Sequence, residues 1–273
     1  VLMKQRIVIK LGGSSLQNTE TLHQLSLAVQ GHQKRGFDVV VVHGGGPAIN
    51  AELTKRGIEW KFINGQRQTT PAMISVIEDV LGKDVNSMIV RNLADAQISA
   101  VGLSGANGIL SCTQSSKELM QVGSVDYVDT TSIEEALASA KNCVPVIAPI
   151  GFGENGMKFN VNADWAATKI AIALNAVKLI FLTDQNGILD QDKNLVKRAN
   201  PKRIHSMIDT GVIHGGMCTK VLAMMAALES GVDQVRVVHA SQAGQLFGNV
   251  KIGTVLTDNQ NHNRKDVVHE YAS

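Results

Sequence analysis

Six short runs of aliphatic and β-branched residues limit what this chain can become. RIVIKLGG begins at Arg6, and DVVVVHGGGP, AVGLSG, CVPVIAPIG, KLIFLTD and QVRVVH follow in order. The runs are apolar almost throughout, glycine-bearing turns recur at their ends, and helical periodicity fills the gaps between them. A strand without a polar face has to be covered on both sides, and a strand–helix–strand rhythm leads to parallel pairing. The expected fold class is therefore α/β, an open, mainly parallel sheet sandwiched between helices as a three-layer αβα structure. QVGSVDYVDT and GMKFNV alternate instead, which predicts hairpins near a binding cleft.

Composition excludes several functions. The chain has 273 residues, 44% of them hydrophobic, enough for one large α/β domain or two lobes around a sizeable core. Its net charge is +2, without a Lys/Arg block or an aromatic-interleaved basic stripe, so nucleic acid is not an expected partner. No apolar run reaches the roughly 18 residues of a membrane span, so no membrane partner is expected either. Cys112, Cys143 and Cys218 are odd in number, far apart and outside any metal-ligand spacing. That pattern suits a reducing cytoplasm and predicts no structural metal. The strand at Arg6 leaves no room for a signal peptide, and residues 259–273 read as a polar tail.

Chemistry concentrates at the ends of the strands, where ligands of open α/β sheets gather. Lys10 ends the first run and is followed by Gly12 and Gly13, which let an anion approach the backbone. The alternative for Lys10 is a stem lying on apolar surface with its ammonium in water. In VVVVHGGGPAIN, three glycines expose backbone N–H groups just before Pro47, which suits the first turn of a helix, so the turn is a ready anion site. His43 reads as a packed histidine. In KFNVNADWAATKIAIALNA, Asn162 predicts a helix cap, Asp164 falls in the first turn where a carboxylate complements the dipole, and Asn160 shares the side of Asn162.

Two residues sit against local rules. Lys220 belongs to a helix predicted to start near Gly216, on the side marked by Met217, Val221, Met224 and Leu228. A cation in the first turn opposes the helix dipole by about 0.3–1 kcal/mol, and a bound polyanion would remove the objection. Arg67, in FINGQRQTTP, stands just ahead of a helix that Thr70 is expected to cap and Pro71 to open. Two familiar patterns are set aside. GFGENG matches a dinucleotide fingerprint but leads into a strand-like segment, and no P-loop sequence is present.

Eight motifs in order, KLGG, HGGGPAIN, NGQRQTT, AVGLSG, NVNADWAA, LTDQNGIL, GGMCTK and GTVLTD, resemble the amino acid kinase superfamily and, within it, the N-acetyl-L-glutamate kinases. The resemblance runs from about Arg6 to Asp258. It implies one continuous domain with an acyl-amino-acid lobe (residues 1–175) and an ATP lobe (residues 176–258). It implies transfer of a phosphoryl group from ATP, with Mg²⁺ carried on the nucleotide, to the side-chain carboxylate of N-acetyl-L-glutamate. Lys10 and Lys220 would stabilise the transferring group and Asp164 would hold both. Gly45, Gly46, Arg67, Asn160 and Asn162 would bind the acylglutamate. Gly12, Gly13, Asp184, Gln185, Asn186, Gly187, Ile188, Leu189, Val212, Ile213 and His214 would border the nucleotide. Gln68 departs from the usual aliphatic residue beside the substrate, which leaves N-succinylglutamate or a carrier-linked aminoadipate as alternative acceptors, with a non-catalytic regulatory relative behind them. A strand starting at about Arg6, with no helix before it, implies a homodimer insensitive to arginine. Its expected interface is the helix around Pro71–Leu81, or the next one, which carries Val85, Met88, Ile89 and Leu93.

Overall fold

The computed structural model describes residues 4–139, 142–247 and 251–258, so the expected tail at 259–273 lies outside the described residues. β1 (Arg6–Leu11) leads through a 3-10 turn to α1 (Thr19–Lys34), and β2 (Asp38–His43) leads to α2 (Gly46–Lys55). β3 (Phe62–Ile63) and β4 (Gln66–Arg67) form a minimal hairpin ahead of α3 (Pro71–Asp79) and α4 (Asn86–Asp95). Next come β5 (Ala100–Ser104), β6 (Leu110–Gln114), β7 (Val122–Val128), α5 (Thr131–Ala138), β8 (Val144–Ala148), β9 (Ile150–Phe152), β10 (Lys158–Val161) and α6 (Ala163–Ala173). β11 (Lys178–Thr183), β12 (Arg198–Ala199), α7 (Pro201–Asp209), α8 (Gly215–Glu229), β13 (Gln234–His239) and β14 (Thr254–Leu256) complete the described chain.

Eight strands form one sheet in the order β12-β14-β13-β11-β1-β2-β8-β5. The six from β13 to β5 pair in parallel and are the six apolar runs of the sequence; β14 runs antiparallel to β13. Alternation along each strand feeds two cores. Ile7, Ile9 and Leu11 join Val39 and Val41 in the core beneath α1, α3 and α4. Val8, Val40, Val42, Leu179 and Phe181 face α6 and α8. Lys10 is in register with Val42 and Phe181, on the face of Val8, so strand periodicity alone turns it toward α6 and α8.

The alternating segments pair as hairpins, β6 with β7 and β9 with β10, and these four strands close into a small barrel. GFGENG is the β9–β10 connection, with only a 3-10 turn at Glu154–Gly156, so it opens no helix and makes no dinucleotide site. The second of the two expected dimer faces needs correction. A π-helical segment, Val80–Val85, joins α3 to α4, and Val85, Ile89 and Leu93 are buried in the chain's own core, with only Met88 partly open. Thr70 takes the N-cap position of α3, but its side chain makes no capping hydrogen bond.

Two glycine turns meet where β1 and β2 end. Gly12 N–H donates to Leu182 O at 2.9 Å and Gly44 N–H to Leu11 O at 2.8 Å. A Cβ on Gly13 would stand 2.7 Å from Gly45 N and 2.8 Å from Gly46 N, both backbone atoms without freedom to yield. Gly13→Ala is therefore expected to lower unfolding free energy by about 1–3 kcal/mol, as overpacking does. Urea unfolding checks this, and a wild-type midpoint would show that the two turns can part without cost.

Candidate active site

The site is built on one carboxylate. Asn162 caps α6, its Oδ1 accepting from Asp164 N at 2.9 Å and Trp165 N at 3.2 Å. This cap fixes Asp164 in the first turn, over the carboxyl end of β1. Lys10 Nζ lies 2.8 Å from Asp164 Oδ1, and Lys220 Nζ donates to Oδ2 at 2.8 Å. All three side chains are largely buried. Burial opposes the charge on Asp164, but Lys10 and Lys220 together outweigh it and lower its pKa to about 2. Burial, then Lys10, pushes the pKa of Lys220 down, while Asp164 and Asp184 act to raise it. Two cations share one anion, leaving net positive charge in a nearly dry site.

α8 begins at Gly215, one residue earlier than expected, and Lys220 is its sixth residue. The lysine thus escapes most of the dipole penalty, which falls off within the first turn. Burial is what it violates, and Asp164 answers that. The Lys220 ammonium also lies 5.4 Å from the Phe181 ring centroid.

Lys10, Gly13, Gly45, Gly46, Arg67, Asn160, Asn162 and Asp164 all line one cavity of about 220 Å³. The start of α2 lines this cavity, and its N-terminus, like that of α8, is left open. Asn side chains cap α1, α6 and α7, whereas α2 and α8 start at glycines, with no capping side chain and no acid in the first turn. Their free N–H groups are donors for an anion. His43 supports the α2 turn and does no acid–base work. Burial holds its pKa down to about 4, against the raising effect of its bond to the Gly44 carbonyl. Since that carbonyl can only accept, Nδ1–H donates to it at 2.8 Å, and Nε2 accepts from Asn86 Nδ2 at 3.2 Å.

Arg67 is the unbalanced group. It is 6% exposed, it has no ion pair among the described residues, and its Nη1 is buried without a hydrogen-bond partner. Burial lowers its pKa to about 10, so it stays cationic at neutral pH. Nη2 donates to Gly46 O at 3.3 Å and to Asn50 Oδ1, and the guanidinium lies 4.8 Å from the Phe62 ring and 5.2 Å from Trp60. Asn160 Nδ2 donates to Thr69 Oγ1 at 3.0 Å. The sequence reading missed Asn50, Phe62 and Trp60. Asn50 was within reach, because it lies one helical turn after Gly46 on the helix that the glycine turn opens. Gln68 points away, donating from Nε2 to Glu118 O at 2.8 Å, and Gln66 lines the cavity instead.

The expected nucleotide border divides. Asp184 reaches the site's edge, accepting from Ser14 Oγ at 3.3 Å and Thr183 Oγ1 at 3.1 Å. Gln185, Asn186, Gly187 and Leu189 follow β11 outside the cavity, as do Val212 and His214, the latter at the open start of α8. The side chains of Ile188 and Ile213 are buried in the core, and Gly12 contacts the end of β11 without lining the cavity. Among the described residues no group of three His, Cys, Asp or Glu side chains is arranged to hold a metal.

A carboxylate tying two lysines together beside glycine turns, at the carboxyl ends of a parallel sheet, defines a phosphoryl-transfer fold. Residues 5–239 match the amino acid kinase family, and the chain belongs to it. It is 39% identical over 260 residues to the acetylglutamate kinase of Bacillus mycoides (strain KBAB4), covering 95% of this chain and 99% of that one. It is 35% identical over 263 residues to the acetylglutamate kinase of Neisseria meningitidis serogroup C (strain 053442), covering 92% and 88%. Among solved structures, smu.665 from Streptococcus mutans UA159 superposes with a TM-score of 0.80 at 30% identity, covering 93% of this chain and 99% of that one.

Removing the central anion tests the arrangement. Asp164→Asn leaves two buried ammonium groups unneutralised and is expected to cost about 3–5 kcal/mol at pH 7. The folded pKa lies below the ordinary aspartate value, so the ionised carboxylate stabilises fully above about pH 4, and this contribution is lost as pH falls through about 2. The variant should lack that acid step. Urea titrations across this range check both points, and equal acid sensitivity in the two proteins would refute the clamp.

Proposed function

We propose that the protein transfers the γ-phosphoryl group of ATP to the side-chain carboxylate of N-acetyl-L-glutamate, giving an acyl phosphate and ADP, the second step of arginine biosynthesis. The observation that carries this reading is that Lys10 and Asp164, the latter also held by Lys220 from outside the lining, share one cavity with a buried Arg67 that has no ion pair among the described residues. Membership of the amino acid kinase family and the similarity to acetylglutamate kinases support it.

The chemistry needs little beyond these groups. A carboxylate with a reference pKa near 4.3 is already ionised at neutral pH, so attack on phosphorus needs no general base. One acceptor oxygen bonds to the γ-phosphorus as the bond to the β-phosphate oxygen breaks, and ADP leaves with that oxygen's electrons. The task is to bring two anions together and neutralise charge as the phosphoryl group moves. Lys10 and Lys220 do this from opposite sides of Asp164, with amides of Gly13, Gly45 and Gly46 as further donors. Arg67 takes the acceptor's α-carboxylate through its free Nη1, and Asn160 and Asn162 face the remainder of the acceptor. Residues 1–175 form the acceptor lobe and residues 176–258 the nucleotide lobe. Asp184–Leu189 and Val212–His214 border the nucleotide largely through their backbone. Mg²⁺ arrives on the nucleotide phosphates as part of the substrate.

Gln68 donates to a neighbouring carbonyl outside the cavity, which removes the reason to prefer a larger or different acyl group. The reading includes a cytoplasmic location, in keeping with three free cysteines, and a homodimer formed through a surface other than Val85, Ile89 and Leu93.

ATP-dependent hydroxamate formation, with hydroxylamine trapping the acyl phosphate, should be strong with N-acetylglutamate and weaker with N-succinylglutamate or aminoadipate derivatives. Lys220→Ala is expected to fold and to lower kcat roughly 10²–10³-fold. Arg67→Gln should instead act mainly on the acceptor's KM, raising it by about tenfold or more. Near-wild-type turnover in Lys220→Ala would sink the mechanism.

A further inference from the structure

The opposite end of the same sheet holds a second concentration of positive charge. Lys178 opens β11, Arg236 is the third residue of β13, and Arg35 follows the last turn of α1. With His32, Phe37 and Phe247 they line a cavity of about 330 Å³. Lys178 is in register with Ile7, three rungs from the Lys10–Phe181 pair, so this cavity and the candidate active site stand at opposite ends of β1 and β11.

None of Arg35, Lys178, Arg236 and His32 forms an ion pair among the described residues. Two rest on aromatic faces instead, Arg35 at 4.1 Å from the Phe247 centroid and Lys178 at 5.2 Å from that of Phe37. His32 is 4% exposed and neither ring nitrogen has a partner; Arg236 Nε is also buried and unpartnered. Burial, then Lys178, Arg35 and Arg236, lowers the pKa of His32 to about 3, so the ring is neutral and offers one unused N–H. Like charges gathered without an anion disfavour the empty fold, and Lys178 and Arg236 are both pushed toward lower pKa, chiefly by burial.

The cavity wall is built at a local cost. Gly31 lies inside α1, where glycine is worse than alanine because it loses more backbone freedom on folding. A Cβ there would come within 2.0 Å of the Phe247 ring, so the glycine is what seats Phe247 between Arg35 and His32.

We propose that this cavity binds a phosphate-bearing small anion, either free pyrophosphate or a phosphate ester, at a site separate from the reaction centre. Two guanidinium forks and an ammonium suit phosphate oxygens, and the unpartnered His32 N–H supplies a neutral donor. Phe37 and Phe247 leave apolar surface for an organic body.

Calorimetric titration of the full chain with pyrophosphate, its active site filled by AMP-PNP and N-acetylglutamate, should give one equivalent bound. Affinity should fall by about tenfold or more in Arg236→Gln and in Lys178→Met and stay unchanged in Lys220→Ala. Both cavity variants relieve repulsion, so wild-type circular dichroism is expected of them. The contrast between variants does not depend on what the active site does. Tighter binding of ribose 5-phosphate would assign the site to phosphate esters, and the reverse order to free pyrophosphate. No binding to the wild type, equal binding in the cavity variants, or loss confined to Lys220→Ala would each overturn the proposal.

Discussion

One carboxylate bridging two ammonium groups ties the structure together. Asp164 comes from α6, Lys10 from the first strand and Lys220 from a helix more than two hundred residues later in the sequence. A buried ion pair is weak evidence for stability, because a well-packed apolar trio would avoid the desolvation cost. The clamp makes sense as a way of keeping two cations dry and close until an anion arrives. It also explains why the acid stands on a capped first turn. The helix N-terminus and both lysines favour its ionised form, so it stays charged despite burial.

The surrounding backbone follows the same logic. Asn18, Asn162 and Asn200 satisfy the first N–H groups of α1, α6 and α7. The two helices that open on glycine leave theirs free. At β1 and β2 the glycines do more than allow turns. Gly13 lies so close to Gly45 and Gly46 that any side chain would drive the loops apart. His43 and Asn86 then fix the turn from beneath with neutral hydrogen bonds, which add no charge to an already cationic site.

Much of this was legible in the sequence because the controlling rules are local. Apolar runs identified the six parallel strands, Lys10 stood out at the end of the first beside two glycines, and Asn-x-Asp at a helix start predicted the cap and the acid. Rule-breaking pointed to Lys220 and Arg67. The failures share a different cause. Val85, Ile89 and Leu93 have the periodicity of a buried face, but periodicity does not say whether a core or a second subunit buries it. Thr70 had the right residue type and position, but no bond forms. Direction was the hidden variable for Gln66 and Gln68, which lie two apart near a two-residue strand where one side-chain rotation decides which meets the cavity.

The two ends of β1 and β11 gather like charges within one sheet in different ways, buried at one end and half-buried or exposed at the other. At the carboxyl end, Lys10 and Lys220 are answered by Asp164, and the surplus is small and points at a cavity. At the amino end, Arg35 and Lys178 rest on aromatic faces, contacts that contribute about 0.5–2 kcal/mol each without neutralising anything, and neither they nor Arg236 forms an ion pair among the described residues. Self-repulsion of that kind disfavours the compact state unless something relieves it. A chain that can place Asp164 between two lysines at one end has the means to place an acid at the other. The glycine inside α1 is a further sign of construction, since alanine would suit the helix better and would evict Phe247. An anion from solution is the component that resolves the imbalance.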